Sequence, residues 1–360
     1  MDDKIIISRE ELMENKVDVV LKRQHEEMAL RTGMNSQVDT GKDKIGLIYK
    51  SWFNLMLAGL IGAFIAWLLI EPLIYNDDGN GIHSGSAYLL FSCVGGLVGL
   101  FIGCTEGILG RNILRTLKGG LVGMLIGAVG GIISTYFAEI VYRAIIHIGF
   151  SFFNKDSLND LSHNFSALFV VIIARSLGWC IAGMTIGLGP GIALGSKKLT
   201  FNAFLGGMIG GALGGFLFDP INYVVSGGTL SSGDNVSRAI GLCVIGAAAG
   251  LMIGLVELVT MDAWFYMNDG PLKGKQFILY KNPTTIGSSA GCEIYLFKDP
   301  YISPRHAKIS KIRDGYLLED MDSTTGTLVN GVKITKHKLL SGDIIKIGES
   351  TLIYREKSKS

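Results

Sequence analysis

The sequence predicts a multi-domain chain: an α-helical polytopic bundle of six glycine-rich transmembrane helices, arranged as three pseudo-repeated hairpins, followed by a C-terminal all-β sandwich. Three observations lead there. Mean hydropathy is +0.39, with only 18% of the 360 residues charged. The 49 glycines, about twice the usual share, gather in long apolar stretches. Past about residue 270 the texture changes to short alternating runs divided by turn residues.

Residues 1–50 read as a polar arm, 51–265 as the membrane domain and 266–360 as the β module. In the arm, Ser8-Arg-Glu-Glu11 has the spacing of a capping box, in which the Ser hydroxyl and a Glu satisfy each other's orphan amides. The mixed-charge helix that follows is either solvated or a docking helix. The polar opening does not read as a cleavable signal peptide. Five cysteines without CxxC or Cys/His spacing predict neither a disulfide framework nor zinc.

Six apolar stretches near 52–75, 87–109, 119–142, 166–190, 201–225 and 239–262 each supply the ~20 residues a hydrocarbon core requires. Lys42, Lys44 and Lys50 precede the first. Arg111, Arg115 and Lys118 fill the second connection, and Lys197 and Lys198 the fourth, whereas Asn76–Ser86 has no Lys or Arg. By the positive-inside rule both termini face the cytoplasm. The expected location is therefore a membrane crossed several times.

The stretches repeat. Leu57-Ala-Gly-Leu-Ile-Gly62 with Glu71-Pro72 is echoed by Leu205-Gly-Gly-Met-Ile-Gly210 with Asp219-Pro220. Gly99, Gly103 and Gly107 recur 84 residues later as Gly183, Gly187 and Gly191. The simplest grouping is hairpins 1–2, 3–4 and 5–6. Glycines four residues apart share a helix face, so each ladder is a smooth strip that lets backbones approach where lipid offers no hydrophobic drive. Glu71, Glu139 and Asp219 end spans 1, 3 and 5, while Arg175 and Arg238 begin spans 4 and 6. Ionisable groups in a bilayer are expensive unless paired, so these acids and arginines are expected to form structural ion pairs at the rim. Glu106 and Glu257 lie where they can reach the interface.

The last segment carries 15 Lys/Arg against nine Asp/Glu over residues 271–360, a basic surface suited to anionic ligands. Strand-like runs fall at Gln276–Tyr280, Glu293–Leu296, Ala307–Ile312, Tyr316–Leu318, Thr327–Val329, Ile344–Ile347 and Thr351–Tyr354. Asn330-Gly331 is a strong type I′ hairpin signal. Many short strands with such turns indicate a sandwich whose end loops are natural binding positions.

Between these runs lie Thr285-Ile-Gly-Ser288, Ser303-Pro-Arg-His306, Ser323-Thr-Thr-Gly-Thr327, Val329-Asn-Gly331 and Leu340-Ser-Gly-Asp343. In these loops, taken in order, the segment from about Gly270 to Glu356 resembles a forkhead-associated (FHA) domain, over about a quarter of the chain. The resemblance implies an eleven-stranded sandwich whose apical loops bind phosphothreonine peptides. It makes Ser288, Ser303, Arg305, His306, Ser323, Thr324 and Thr325 the phosphopeptide-binding set. Ser303 would donate to phosphate, His306 would organise the loops rather than act as a base, and Thr324 would help hold the phosphothreonine. On a glycine-rich polytopic protein the resemblance also implies that the membrane is a bacterial inner or plasma membrane.

Three positions depart from the family pattern. Ser288 stands where an Arg usually follows the Gly, Thr325 where an Asn is usual, and Pro304 where an Arg often follows the Ser. Losing one charge-assisted contact costs roughly 1.5–3 kcal/mol, about ten- to hundredfold in affinity. Phosphate-dependent and phosphate-independent docking both remain open at this level, and Arg305 or a nearby Lys is the candidate to compensate.

With six His and no HExxH, nucleophile elbow or Walker loop, the chain does not read as an enzyme, and no cofactor or metal is expected. The favoured expectation is a membrane-anchored signalling or scaffold adaptor. Its partners would be phosphothreonine proteins made by a Ser/Thr kinase, the lipid bilayer and other copies of itself, with no nucleic acid. The competing expectations are a small channel or transporter gated by the β module, and a phosphate-independent component of an envelope assembly.

Overall fold

A computed structural model describes residues 49–74, 84–151, 165–225 and 235–357. It divides into a helical unit that runs to Asp262 and takes in Leu279–Lys281, and a β unit built from Ala263–Ile278 and from Asn282 onward. The predicted capping box of the arm lies outside the described residues.

The helical unit holds α1 (Ser51–Ile74), α2 (Ser84–Leu109), α3 (Ile113–Ser151), α4 (Phe165–Leu194), α5 (Lys197–Val225) and α6 (Asn235–Thr260). All six are long and apolar enough to cross a membrane. At 39 residues α3 far exceeds its predicted span. Asn112 starts it early by accepting the Arg115 N–H on Oδ1 at 3.0 Å, an N-cap that satisfies an otherwise orphaned amide. Ser196 caps α5 in the same way, through the Leu199 N–H at 3.3 Å.

Each helix packs on its neighbours in sequence, and α6 closes on α1. The interior is apolar, with Val94, Val98 and Ile102 from α2, Trp179 and Ile186 from α4, and Leu242, Ile245 and Ile253 from α6. Phe91 meets Trp179 edge-on, ring centroids 4.9 Å apart. The outward faces are apolar too, with Leu68 on α1, Leu125, Ile132 and Ile133 on α3 and Phe201 on α5 all exposed. A helix in water keeps a polar outer face; one apolar all round suits lipid.

The glycine ladders define the tight pairs. A Cβ built on Gly99 of α2 would lie 2.2 Å from the Gly123 carbonyl oxygen of α3, and one on Gly183 of α4 would lie 2.0 Å from that of Gly207 in α5. On the third pair, a Cβ built on Gly59 of α1 would lie 2.1 Å from the Gly246 carbonyl oxygen of α6. Close contact therefore joins α2 to α3, α4 to α5 and α6 to α1. Glycines of the expected hairpins 1–2, 3–4 and 5–6 are close-packed as well: a Cβ on Gly62 of α1 would lie 2.8 Å from Val98 Cα of α2, one on Gly130 of α3 2.5 Å from Thr185 Cβ of α4, and one on Gly210 of α5 2.4 Å from Ala249 Cα of α6.

At the rim Arg175 Nη1 lies 2.7 Å from Asp219 Oδ1, with the guanidinium 4.8 Å from the centre of the Phe218 ring. Glu139 pairs instead with Arg143, one turn further along its own helix, and meets the Tyr88 hydroxyl at 3.5 Å. A partner four residues away needs no alignment between helices. Glu71 is half-buried near the end of α1. The Arg238 side chain lies outside the described residues. Glu257 does not reach out to the interface as expected; it is buried and accepts a hydrogen bond from Ser51.

The β unit has eleven strands: β1 (Ala263–Asp269), β2 (Gln276–Ile278), β3 (Thr284–Gly287), β4 (Ile294–Tyr295), β5 (Ala307–Ile312), β6 (Gly315–Asp320), β7 (Thr327–Val329), β8 (Val332–Ile334), β9 (Lys336–Leu339), β10 (Ile344–Ile347) and β11 (Ser350–Glu356). They form two sheets, ordered β2-β1-β11-β10-β7-β8 and β4-β3-β5-β6-β9. Alternate residues point inward, so Phe265, Met267, Ile309, Leu318, Ile345, Ile347, Leu352 and Tyr354 fill the space between sheets. Phe265 and Tyr354 are cross-strand partners with ring centroids 5.5 Å apart. The predicted Asn330-Gly331 turn joins β7 to β8 with φ of 52° and 83°.

Candidate functional site

Three loops converge beyond the strand ends: Ser288–Glu293 after β3, Leu296–His306 between β4 and β5, and Met321–Gly326 between β6 and β7. Two hydroxyls bring the last two together. Ser303 Oγ accepts the Thr324 N–H at 3.1 Å and lies 3.3 Å from Thr324 Oγ1. The hydroxyl–hydroxyl contact is long and either oxygen can be the donor, so both protons can turn toward an incoming anion at small expense.

His306 holds this pair in place from below. It is fully buried at the head of β5, and its own N–H donates to Ile286 O of β3 at 2.8 Å. Its Nδ1 accepts the Ser303 N–H at 3.2 Å, so the proton sits on Nε2, which faces Gly326 O at 3.3 Å. One imidazole thus fastens the Ser303 turn to the Thr324 loop. Burial lowers its pKa below the ordinary 6.5, outweighing the Gly326 carbonyl and the charges of Asp320 and Asp299. The ring is neutral at neutral pH, and with Nδ1 accepting the Ser303 N–H and Nε2–H facing the Gly326 carbonyl it has no nitrogen left to take the Ser303 hydroxyl proton.

Sequence reasoning missed Asp320. Its carboxylate accepts the Ser323 N–H at 3.0 Å and the Ser323 and Thr327 hydroxyls at 2.6 Å each. Burial would raise this carboxyl, but those hydrogen bonds outweigh it and hold it below the ordinary carboxylate range. Ser323 Oγ in turn accepts the Gly326 N–H at 3.0 Å. Ser323 is therefore turned inward as a brace. The Asp-x-x-Ser spacing is a local turn pattern that could have revealed it.

Ser288 and Thr325 are also braced. Ser288 Oγ donates to Ile302 O at 2.7 Å, and Thr325 Oγ1 to Tyr301 O at 2.8 Å. Their protons serve the loop between β4 and β5, which leaves these oxygens as acceptors. Arg305 is exposed, and its backbone rests against Gly287: a Cβ there would lie 2.3 Å from Pro304 O and 3.1 Å from Arg305 Cα.

The neutral His306 gives a pH dependence of fixed sign. A depressed pKa means the unfolded chain binds more protons, so its contribution to stability is complete above about pH 6.5 and is lost as pH falls through the lower folded value. Acidification is expected to lower the hydrogen-exchange protection factors, measured against the intrinsic exchange rate at each pH, of the Ser303 and Met321 amides, which His306 Nδ1 and the His306 carbonyl accept. In His306→Ala those protection factors should already be low at pH 7.5 and change little with acid. Unaltered protection between pH 7.5 and 5 in the parent would contradict this role.

Fold and loops define a six-helix apolar unit joined in sequence to a forkhead-associated β-sandwich. Residues 284–348 match the FHA domain family. The oxoglutarate dehydrogenase inhibitor of Corynebacterium jeikeium is 32% identical over 106 residues, 29% of this chain and 73% of that protein. The FHA domain-containing protein FhaB of Mycobacterium tuberculosis is 27% identical over 110 residues, covering 30% and 70%. A solved FHA structure from a study of phosphothreonine-dependent interactions is 28% identical, spanning 27% of this chain and 99% of that one, with a TM-score of 0.25. The chain belongs to the FHA-domain family, with that domain at its C-terminus.

Proposed function

We propose that this protein is a membrane-anchored adaptor whose FHA module recruits proteins carrying phosphothreonine. The observation that carries the reading is the Ser303–Thr324 hydroxyl pair, held on two loops by the buried His306. A phosphate dianion seeks charge-assisted donors on a rigid support, and this pair offers two hydroxyls without a loop rearrangement. Membership of the FHA family supports the same reading. The helical unit acts as the anchor, since its helices are apolar on their outer faces. The Lys/Arg bias of the connections supports a cytoplasmic side for the arm of residues 1–50 and the FHA module, where Ser/Thr kinases work. The packed core of the bundle is Val, Ile, Leu, Ala and Trp, and its buried charges among the described residues, Asp219 and Glu257, lie toward helix ends, which favours an anchor over a conducting path.

The test is binding of the detergent-solubilised chain to matched phosphothreonine and threonine peptide pools. Preference for the phosphorylated pool is expected, and Ser303→Ala should weaken it about ten- to hundredfold, the worth of one charge-assisted hydrogen bond. Equal binding of both pools by the parent would reject phosphate recognition.

A further inference from the structure

We propose that Arg305 is the phosphate-holding cation of this module, reaching in from the loop between β4 and β5 because the loop after β3 supplies none. This rests on the phosphothreonine reading above and goes beyond it by assigning the charge.

Ser288 cannot fill the role. It is neutral, its N–H is bonded to Ser303 O at 3.1 Å and its hydroxyl to Ile302 O at 2.7 Å. Arg305 lies next to that vacancy. The missing side chain at Gly287 lets the Pro304–Arg305 backbone settle on β3, with Arg305 Cα only 3.1 Å from where a Cβ would stand. A larger residue at Gly287 would push this loop away; glycine draws it in.

The backbone on both sides of Arg305 is fixed. Ser303, two residues earlier, is tied to Thr324, and His306, the next residue, is tied to Ile286. Two residues span at most roughly 7 Å, about the reach of an extended arginine side chain, so the guanidinium can meet an anion seated on Ser303. The side chain is exposed and has no carboxylate partner among the described residues, unlike Lys308 and Lys336, both of which are held by Glu319. Burial raises the Cys292 thiol, while the Arg305 charge pulls it the other way, so that charge is felt in the loop after β3. A guanidinium offers a planar fork that matches two phosphate oxygens.

Lys333 is the rival cation. Its Cε and Nζ would lie 2.2 and 2.7 Å from a Cβ on Gly326, so its stem runs over the loop between β6 and β7. That position is beside the backbone of the recognition loop, and no contact brings Lys333 to Ser303.

The experiment measures binding of the full detergent-solubilised chain to the phosphothreonine and threonine peptide pools. Arg305→Ala is expected to lower affinity for the phosphorylated pool about ten- to hundredfold and leave the unphosphorylated pool unaffected. Arg305→Lys should recover part of the loss. Ser288→Arg in the Arg305→Ala background should restore preference for phosphate, because the cation then enters from the neighbouring loop. Hydrogen exchange at the Ser303 amide checks that the loops stay intact. Unchanged phosphopeptide affinity in Arg305→Ala overturns the assignment, as does a loss seen in Lys333→Ala alone. If the parent chain does not distinguish the two pools, the phosphothreonine reading fails and takes this assignment with it.

Discussion

Asp343→Ala is expected to destabilise the β unit by about 3–5 kcal/mol, the range for stripping a buried network of its charged hub. Asp343 is 2% exposed. Its Oδ2 accepts the Leu340 N–H at 2.8 Å and lies 3.1 Å from His337 Nε2, while Oδ1 accepts from Asn330 Nδ2 at 2.9 Å. Asn330 passes the connection on, since its Oδ1 accepts the Ile344 N–H at 3.0 Å and its own N–H donates to Ile344 O at 2.8 Å. Burial by itself would raise the Asp343 carboxyl, but the bonds from His337, Leu340 and Asn330 outweigh it and hold it below the ordinary range. This stabilisation is therefore fully present above the usual carboxylate pKa and is lost progressively as pH falls from there through the depressed value. Alanine leaves buried donors on Leu340 and Asn330 without their acceptor. Asp343→Asn keeps one carbonyl and should be milder. Hydrogen exchange over residues 327–354 of the solubilised chain reads the effect, and unchanged protection at Leu340 and Ile344 would contradict it.

Asp343 also shows where the sequence stops being informative. Leu340-Ser-Gly-Asp343 was visible as a motif, but its clasp on Asn330 depends on β7 and β10 lying side by side. Ser303, His306 and Thr324 stood out in the sequence because they lie in loop motifs shared with the FHA family, and the fold brings them together. The inward turns of Ser288 and Thr325 were not, since which carbonyl a short hydroxyl meets is set by the path of another loop. β1 escaped for a different reason. Ala263-Trp-Phe-Tyr-Met267 follows α6 almost directly and reads as more of the same apolar run. Only its pairing with β11 makes alternate residues face the core. In the bundle, a four-residue glycine period revealed the smooth face of each helix but not which helix it meets. Gly207 of α5 meets Gly183 of α4 while Gly210 of the same helix meets Ala249 of α6, so one period serves two partners.

Gly99→Leu is expected to separate α2 from α3 and abolish the compact bundle. The contact there is backbone on backbone: a Cβ on Gly99 would lie 2.2 Å from Gly123 O, and one on Gly123 would lie 2.2 Å from Gly99 O. Gly95 and Gly127 repeat this reciprocal contact at 2.4 and 2.0 Å. A carbonyl held inside a helix cannot rotate away as a side-chain tip does, so even one methyl forces the axes apart. Overpacking of this kind costs about 1–3 kcal/mol for a single methyl, and leucine exceeds what the seam can absorb. Parting the helices also forfeits the dispersion contacts of the whole ladder, which lipid does not replace with any hydrophobic gain. Gly96 is the internal control, because a Cβ there would lie 3.3 Å from the Ala128 Cβ and no nearer than 3.5 Å to any backbone atom, that of Met124 O. In mixed micelles Gly96→Ala should unfold near the parent midpoint, Gly99→Ala clearly below it, and Gly99→Leu should show no cooperative transition. A Gly99→Leu bundle that unfolds at the parent midpoint would mean that the α2–α3 seam is not what holds these helices together.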